Sequence, residues 1–141
     1  MSRPERSRTS ILAIWIPQWP LQRLLQKRPE LGNRLVVIHQ MTPRGPCVVG
    51  RSGELGRQGV SLGMPVAEAL AISRRQHPEG RENARQKNKA LHLEPYNPIA
   101  DHEALIRLAQ WCHRFSPIVG LEEEQPPETL LLDITGMDLF A

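Results

Sequence analysis

Apolar residues along this chain fall into short dense runs separated by polar, proline-rich punctuation. Ile11-Leu12-Ala13-Ile14-Trp15-Ile16 is nearly continuous, the pattern of a strand covered on both faces. Behind Pro20 the spacing changes: Leu21, Leu24 and Leu25 stand at i, i+3, i+4 and predict a helix. Arg28-Pro29 should end it, because the residue before a proline avoids the α region. Leu35-Val36-Val37-Ile38 and Cys47-Val48-Val49-Gly50 predict two buried strands, and the turn-rich segment from Met41 to Pro46 makes them a hairpin. A Gly-rich stretch from Ser52 to Val60 has room for one helical turn, and a longer helix starts at Pro65. Leu91-His92-Leu93-Glu94 is a short strand closed by Pro95. Ile99 to Phe115 is the clearest helix, with Leu105, Leu108, Cys112 and Phe115 as its stripe and Asp101 near its positive end. Ser116-Pro117 stops that helix, and Ile118–Leu121 and Thr129–Thr135 predict two last strands. No internal repeat is present.

Composition narrows the class. At 141 residues, 40% apolar and 23% charged, the chain suits one globular core. The net charge of +3 leans toward a polyanionic partner and speaks to association rather than to fold. Cys47 and Cys112 lie far apart, and the five histidines stand at no zinc-site spacing, so no metal centre is indicated. Neighbours on a helix point about 100° apart, which makes Cys112-His113 a core thiol beside a surface imidazole rather than a catalytic pair. No apolar run approaches the roughly 20 residues that cross a bilayer. Residues 1–9 form an Arg-rich tail without a signal-peptide pattern, and a cytoplasmic location is expected.

Charge is most concentrated between Arg74 and Lys89, where six basic residues accompany two acidic ones. A solvated linker is the plain reading; the functional one is a phosphate-contacting patch of Arg74, Arg75, Arg85, Lys87 and Lys89, helped by Arg3, Arg6 and Arg8. Glu122, Glu123, Glu124 and Glu128 read as an exposed hairpin connection before they read as a metal cluster. Asp133, at the end of an apolar strand, should cap the next turn through Thr135 or Gly136. The glycines at 53, 56, 59 and 63 do not follow dinucleotide-loop order.

Three stretches, in order, resemble the core of a Y-family (lesion-bypass) DNA polymerase. They are Ala13-Ile14-Trp15-Ile16-Pro17-Gln18-Trp19, then Arg57-Gln58-Gly59-Val60 leading into Gly63-Met64-Pro65-Val66-Ala67-Glu68-Ala69, then Phe115-Ser116-Pro117-Ile118-Val119 with Leu132-Asp133-Ile134-Thr135-Gly136. Trp15-Ile16-Pro17 and Trp111-Cys112-His113-Arg114-Phe115-Ser116-Pro117 are most similar to the ImuB-like branch of that family. The resemblance implies an α/β (α+β) fold: a palm-type sheet with a small fingers subdomain inserted, truncated. It places a palm strand at 10–17, fingers at 18–89 and returning palm at 90–141, as the N-terminal part of a longer domain. The first and last palm strands, Ile11–Ile16 and Leu130–Ile134, are then expected side by side in the centre of one sheet, both buried.

The departures from the family pattern shape the expected function. Its first strand delivers a metal-binding Asp, where this chain has Trp15. Its second acidic pair stands four and five residues before the Asp matched by Asp133, which gives Glu128 and Thr129. Its fingers present a Tyr and an Arg to the incoming triphosphate, and both positions are glycine here, Gly53 and Gly56. Nucleotidyl transfer needs acidic oxygens around two divalent ions about 4 Å apart, and one carboxylate of three remains. The resemblance therefore implies a non-catalytic protein with no catalytic residue, no metal and no cofactor. Members of that branch act as adaptors in DNA-damage-induced (SOS) mutagenesis and translesion synthesis. They bring together an error-prone replicative-type polymerase, a RecA-like accessory protein and the sliding clamp; this chain itself is expected to hold DNA weakly and without sequence preference. Two readings stay open beside it: an active translesion polymerase whose acids lie elsewhere, and an unrelated small basic α/β module that binds nucleic acid or protein.

Overall fold

The structure, a computed structural model, describes residues 9–76, 91–121 and 128–136. In chain order the elements are β1 (Ile11–Trp15), α1 (Trp19–Lys27), a 3-10 turn (Pro29–Asn33), β2 (Leu35–Thr42), β3 (Gly45–Arg51), α2 (Gly53–Arg57), α3 (Val66–Gln76), β4 (Leu91–Pro95), α4 (Pro98–Cys112), β5 (Val119–Leu121) and β6 (Thr129–Asp133). They form two compact units, one of residues 1–19 and 99–141 and one of residues 20–98.

The first unit carries an antiparallel sheet in the order β1-β6-β5. Leu12 faces Leu132 and Ile14 faces Leu130 across β1 and β6, while Val119 and Leu121 of β5 face the same two leucines. Directly opposed residues share a face of the sheet. That face is the core: Leu130 and Leu132 are buried with Leu105 and Cys112 of α4, and Ile14, Ile16, Val119 and Leu121 pack around them. Trp19 closes one end of this core at 4% exposure, its indole Nε1 donating to the Asp101 carbonyl at 2.8 Å. A buried indole needs an acceptor, and the first turn of α4 supplies it. Buried Ser116 ties β6 to the turn after α4 by donating its hydroxyl to the Asp133 carbonyl.

The second unit holds a sheet in the order β3-β2-β4, antiparallel on one side of β2 and parallel on the other. The first half of its central strand, residues 35–38, is buried on both faces by alternation. Leu35 and Val37 enter a cluster with Val48, Leu55, Val60, Val66 and Ala69, whereas Val36 and Ile38 pack on Leu24 and Leu31. The β2–β3 hairpin closes at Gly45, whose φ of 96° is a conformation that glycine adopts without steric cost.

Several expectations are corrected. Strand β1 does pair with β6, but it is the edge strand of the described sheet and is mostly exposed, Ile11 at 56%. Among the described residues only one face of that sheet packs on a helix, so an unbroken apolar run does not here mean burial on both sides. Strand β4 pairs with β2 in the 20–98 unit and not with the sheet of β1 and β6. Helix α1 starts at Trp19, one residue before Pro20, and α4 ends at Cys112. Phe115 therefore lies in the turn beyond α4 at 49% exposure instead of completing its buried stripe.

Leu130→Ala is expected to cost about 3 kcal/mol in urea unfolding, since it opens a cavity among fully buried neighbours. The adjacent Leu131→Ala, on the open face, should cost less than about 1 kcal/mol. Equal losses at the two positions would contradict the register of β1 and β6.

Candidate functional site on the open face of the β1–β6 sheet

The face opposite the core is defined by the same register. Ile11 stands opposite Asp133, Ala13 opposite Leu131 and Trp15 opposite Thr129. The fold thus brings together the three positions singled out from sequence: Trp15 and Thr129 are cross-strand partners, and Glu128 directly precedes the strand.

Their chemistry differs from that of a metal site. Trp15 is 69% exposed, and its indole Nε1 donates to Glu128 Oε2 at 3.3 Å. The backbone N–H of Gln18 donates to Glu128 Oε1 at 3.1 Å. Both carboxylate oxygens therefore accept hydrogen bonds from nitrogen donors on the chain leaving β1. The backbone closes the same contact, with Ile16 N–H donating to the Glu128 carbonyl at 2.6 Å. Gln18 has a φ of 50°, a left-handed conformation uncommon for a side-chain-bearing residue. That conformation turns its N–H toward Glu128 and lets Trp19 begin α1 with its ring in the core.

A divalent ion of the magnesium type requires several hard oxygens converging on one point. Here the indole contributes a donor, Thr129 a neutral hydroxyl, and Glu128 a carboxylate already engaged on both oxygens. The residues present do not fit a pair of such ions. Among the described residues, no three His, Cys, Asp or Glu side chains converge as a metal site.

Asp133 occupies the far end of the same face. Its Oδ1 accepts from the Thr135 N–H at 2.9 Å, the local cap read from the sequence. Hydrogen bonds from the Thr135 side chain and then its backbone hold the Asp133 carboxyl below its ordinary value. Because the folded value is the lower one, this contact stabilises the fold above the ordinary carboxylate pKa, and its contribution fades as pH falls through the depressed value.

The two fingers-like glycines lie on α2 in the other unit, and sequence reading missed what replaces their side chains. A Cβ on Gly56 would meet the Arg51 guanidinium, with Cζ at 2.8 Å, and one on Gly53 would meet Arg57 Nη1 at 3.9 Å. Arg51 reaches this place from the end of β3, anchored by its Nε donating to the Val60 carbonyl at 2.6 Å. A cation thus lies beside position 56 although the sequence there is glycine. No motif signals it, because the guanidinium arrives from a strand five residues earlier.

Of the phosphate-contact candidates, Arg74 and Arg75 are exposed in the last turn of α3. Arg85, Lys87, Lys89, the tail arginines Arg3, Arg6 and Arg8, and Glu122 to Glu124 lie outside the described residues.

Replacing Glu128 with Ala should leave the Gln18 N–H without its acceptor and accelerate its amide hydrogen exchange by roughly fivefold, about 1 kcal/mol for a partly exposed charged acceptor. Glu128→Gln, which keeps an acceptor oxygen, should change that rate by less than about twofold. Unchanged exchange in the alanine variant would dissolve the clamp.

No family model matches the chain. Over 43 residues it is 46% identical to Protein ImuB of Caulobacter vibrioides, in each of two strains, a stretch covering 30% of this chain and 9% of that protein. The insertion ternary complex of Dbh DNA polymerase superposes with a TM-score of 0.66 at 14% identity, covering 90% of this chain and 32% of that one. The post-insertion binary complex of the same polymerase gives 0.69 at 13% identity over 89% and 32%. DinB from Sulfolobus solfataricus gives 0.64 at 14% identity over 92% and 32%. The chain spans about a third of the length of these solved polymerases. Its α+β architecture, two small sheets with their helices, is the fold of a Y-family DNA polymerase over that third, with a short stretch similar to ImuB.

Proposed function

We propose that this chain is polymerase-shaped but does not polymerise, and that it serves as a non-catalytic, adaptor-type component of DNA-damage-induced translesion synthesis. The observation that carries the reading is the clamp on Glu128: the one carboxylate at the site accepts N–H groups from Trp15 and Gln18 on its two oxygens. A polymerase must hold two divalent ions there to activate the primer 3′-hydroxyl and to neutralise the leaving pyrophosphate. With an indole at position 15 and a hydroxyl at position 129, no step of that kind has a ligand set. What remains is a folded surface of the same shape, which supports binding without chemistry. The 46% identity to Protein ImuB over 43 residues supports placement in that branch. The wider partners expected from the branch belong to the same proposal: an error-prone replicative-type polymerase, a RecA-like accessory protein and the sliding clamp.

Primer extension on undamaged or lesion-bearing template is the direct test. With Mg²⁺ or Mn²⁺ it should stay at the no-enzyme background. Trp15→Asp combined with Thr129→Glu adds two carboxylates to this face and should tighten Mn²⁺ binding at least about tenfold, read by electron paramagnetic resonance. The same variant should still not extend a primer, because Gly53 offers no side chain to a triphosphate and the Arg51 guanidinium beside Gly56 is tied to the Val60 carbonyl. Extension by the unaltered chain would falsify the proposal.

DNA contact is proposed through Lys and Arg to phosphate alone, with Arg74 and Arg75 among the contributors. Binding to short duplex and single-stranded DNA should therefore be weak, indifferent to sequence and steeply salt-dependent, with log K falling by about 0.9 per phosphate neutralised for each decade of salt. Changing Arg74, Arg75, Arg85, Lys87 and Lys89 to Ala should flatten that slope. Tight binding that survives high salt would point to a different surface.

A further inference from the structure

In the 20–98 unit a groove of about 420 Å³ opens between α1, the 3-10 turn and the start of α2. Its floor is aliphatic: Leu31 and Leu35 are buried beneath it, and Leu21 and Leu25 of α1 form its wall while remaining half-buried. Arg34 and Arg57 also line it, against one acidic side chain, Glu54. We infer that this groove docks an acidic peptide segment of a protein partner, inserting one or two aliphatic or aromatic side chains beside carboxylates that meet Arg34 and Arg57.

Size and composition choose the occupant. A volume of about 420 Å³ lies at the lower end of ligand pockets, room for a few side chains. The part-exposed Leu21 and Leu25 reward the burial of an apolar anchor over a floor that is already packed, and guanidinium groups pair with carboxylates in planar, two-point geometry. A nucleotide triphosphate suits the lining less well. Among the described residues no aromatic ring lines the groove to stack on a base, and Glu54 opposes a multiply charged phosphate chain. Among the described lining residues two arginines stand against one glutamate, an excess of positive charge that matches a mildly acidic peptide. The groove belongs to the unit that does not contain Trp15 and Glu128, so it does not rest on the reading of the β1–β6 face.

Gly32 provides the test, because it lines the groove and a Cβ built on it would meet nothing within 4 Å. Gly32→Trp should fill the groove without disturbing the core, which circular dichroism and thermal melting of the variant check. A displayed library of random peptides is selected on the whole chain and counter-selected on the Gly32→Trp variant. The enriched sequences should carry Leu, Ile, Phe or Trp flanked by Asp or Glu. A labelled peptide from the selection should bind at least tenfold more weakly to Gly32→Trp and to the Arg34→Glu, Arg57→Glu double variant, by fluorescence anisotropy. No enrichment, enrichment of basic or uncharged sequences, or peptides that bind Gly32→Trp equally well would overturn the inference. Displacement of the peptide by dATP at micromolar concentration would assign the groove to a nucleotide and overturn it as well.

Discussion

The pairing of β1 with β6 is the contact on which the rest of the first unit depends. These two strands come from opposite ends of the chain, and their register, Ile11 with Asp133 through Trp15 with Thr129, assigns every side chain to one face or the other. Since side chains alternate, a slip of one residue would exchange the faces completely. It would expose Leu130 and Leu132, turn Trp15 inward and move Thr129 away from it. The register is held by burial of one leucine pair against α4, and further by Ile16 N–H on the Glu128 carbonyl and Ser10 N–H on Thr135 Oγ1 at the two ends. Core formation and site assembly are therefore one event.

The same geometry gives the open face a chemistry separate from the core's. Trp15 is an exposed indole there and contributes little to packing. A carboxylate left alone among acidic neighbours calls for a cation, whereas Glu128 finds its compensation in the Trp15 indole and the Gln18 amide. The left-handed turn at Gln18 serves both sides of the sheet, aiming an N–H at the open face and delivering Trp19 into the core. Gly56 lacks a side chain, and the Arg51 guanidinium from β3 lies against it.

Much of the second unit was legible in the pattern of residues. Leu35 to Ile38 reads as a buried strand, and it is one, because two clusters cover its two faces. The hairpin to β3, the proline-started helix α3 and the stripe of Leu105 and Cys112 on α4 follow local rules of spacing and turn chemistry. The Asp133 cap is local as well, formed with a residue two positions on. The β1 run misleads for a physical reason: continuous apolar sequence records hydrophobicity and not how many layers lie over the strand. Strand β4 misleads similarly, since five residues carry no mark of which sheet they will join.

By itself the sequence determined the kind of elements, the order in which they occur and the side chains available on the open face, an indole at position 15 and a hydroxyl at position 129, neither of them an acid. It also determined which residues could reach each other within a turn. Tertiary structure decided everything that depends on separation along the chain. It set Trp15 against Thr129 across 114 positions of sequence, engaged both oxygens of Glu128, placed Arg51 beside Gly56 and left one face of the β1–β6 sheet open. Local propensity extends over a few residues, whereas register and face are settled only when distant apolar surfaces are buried together.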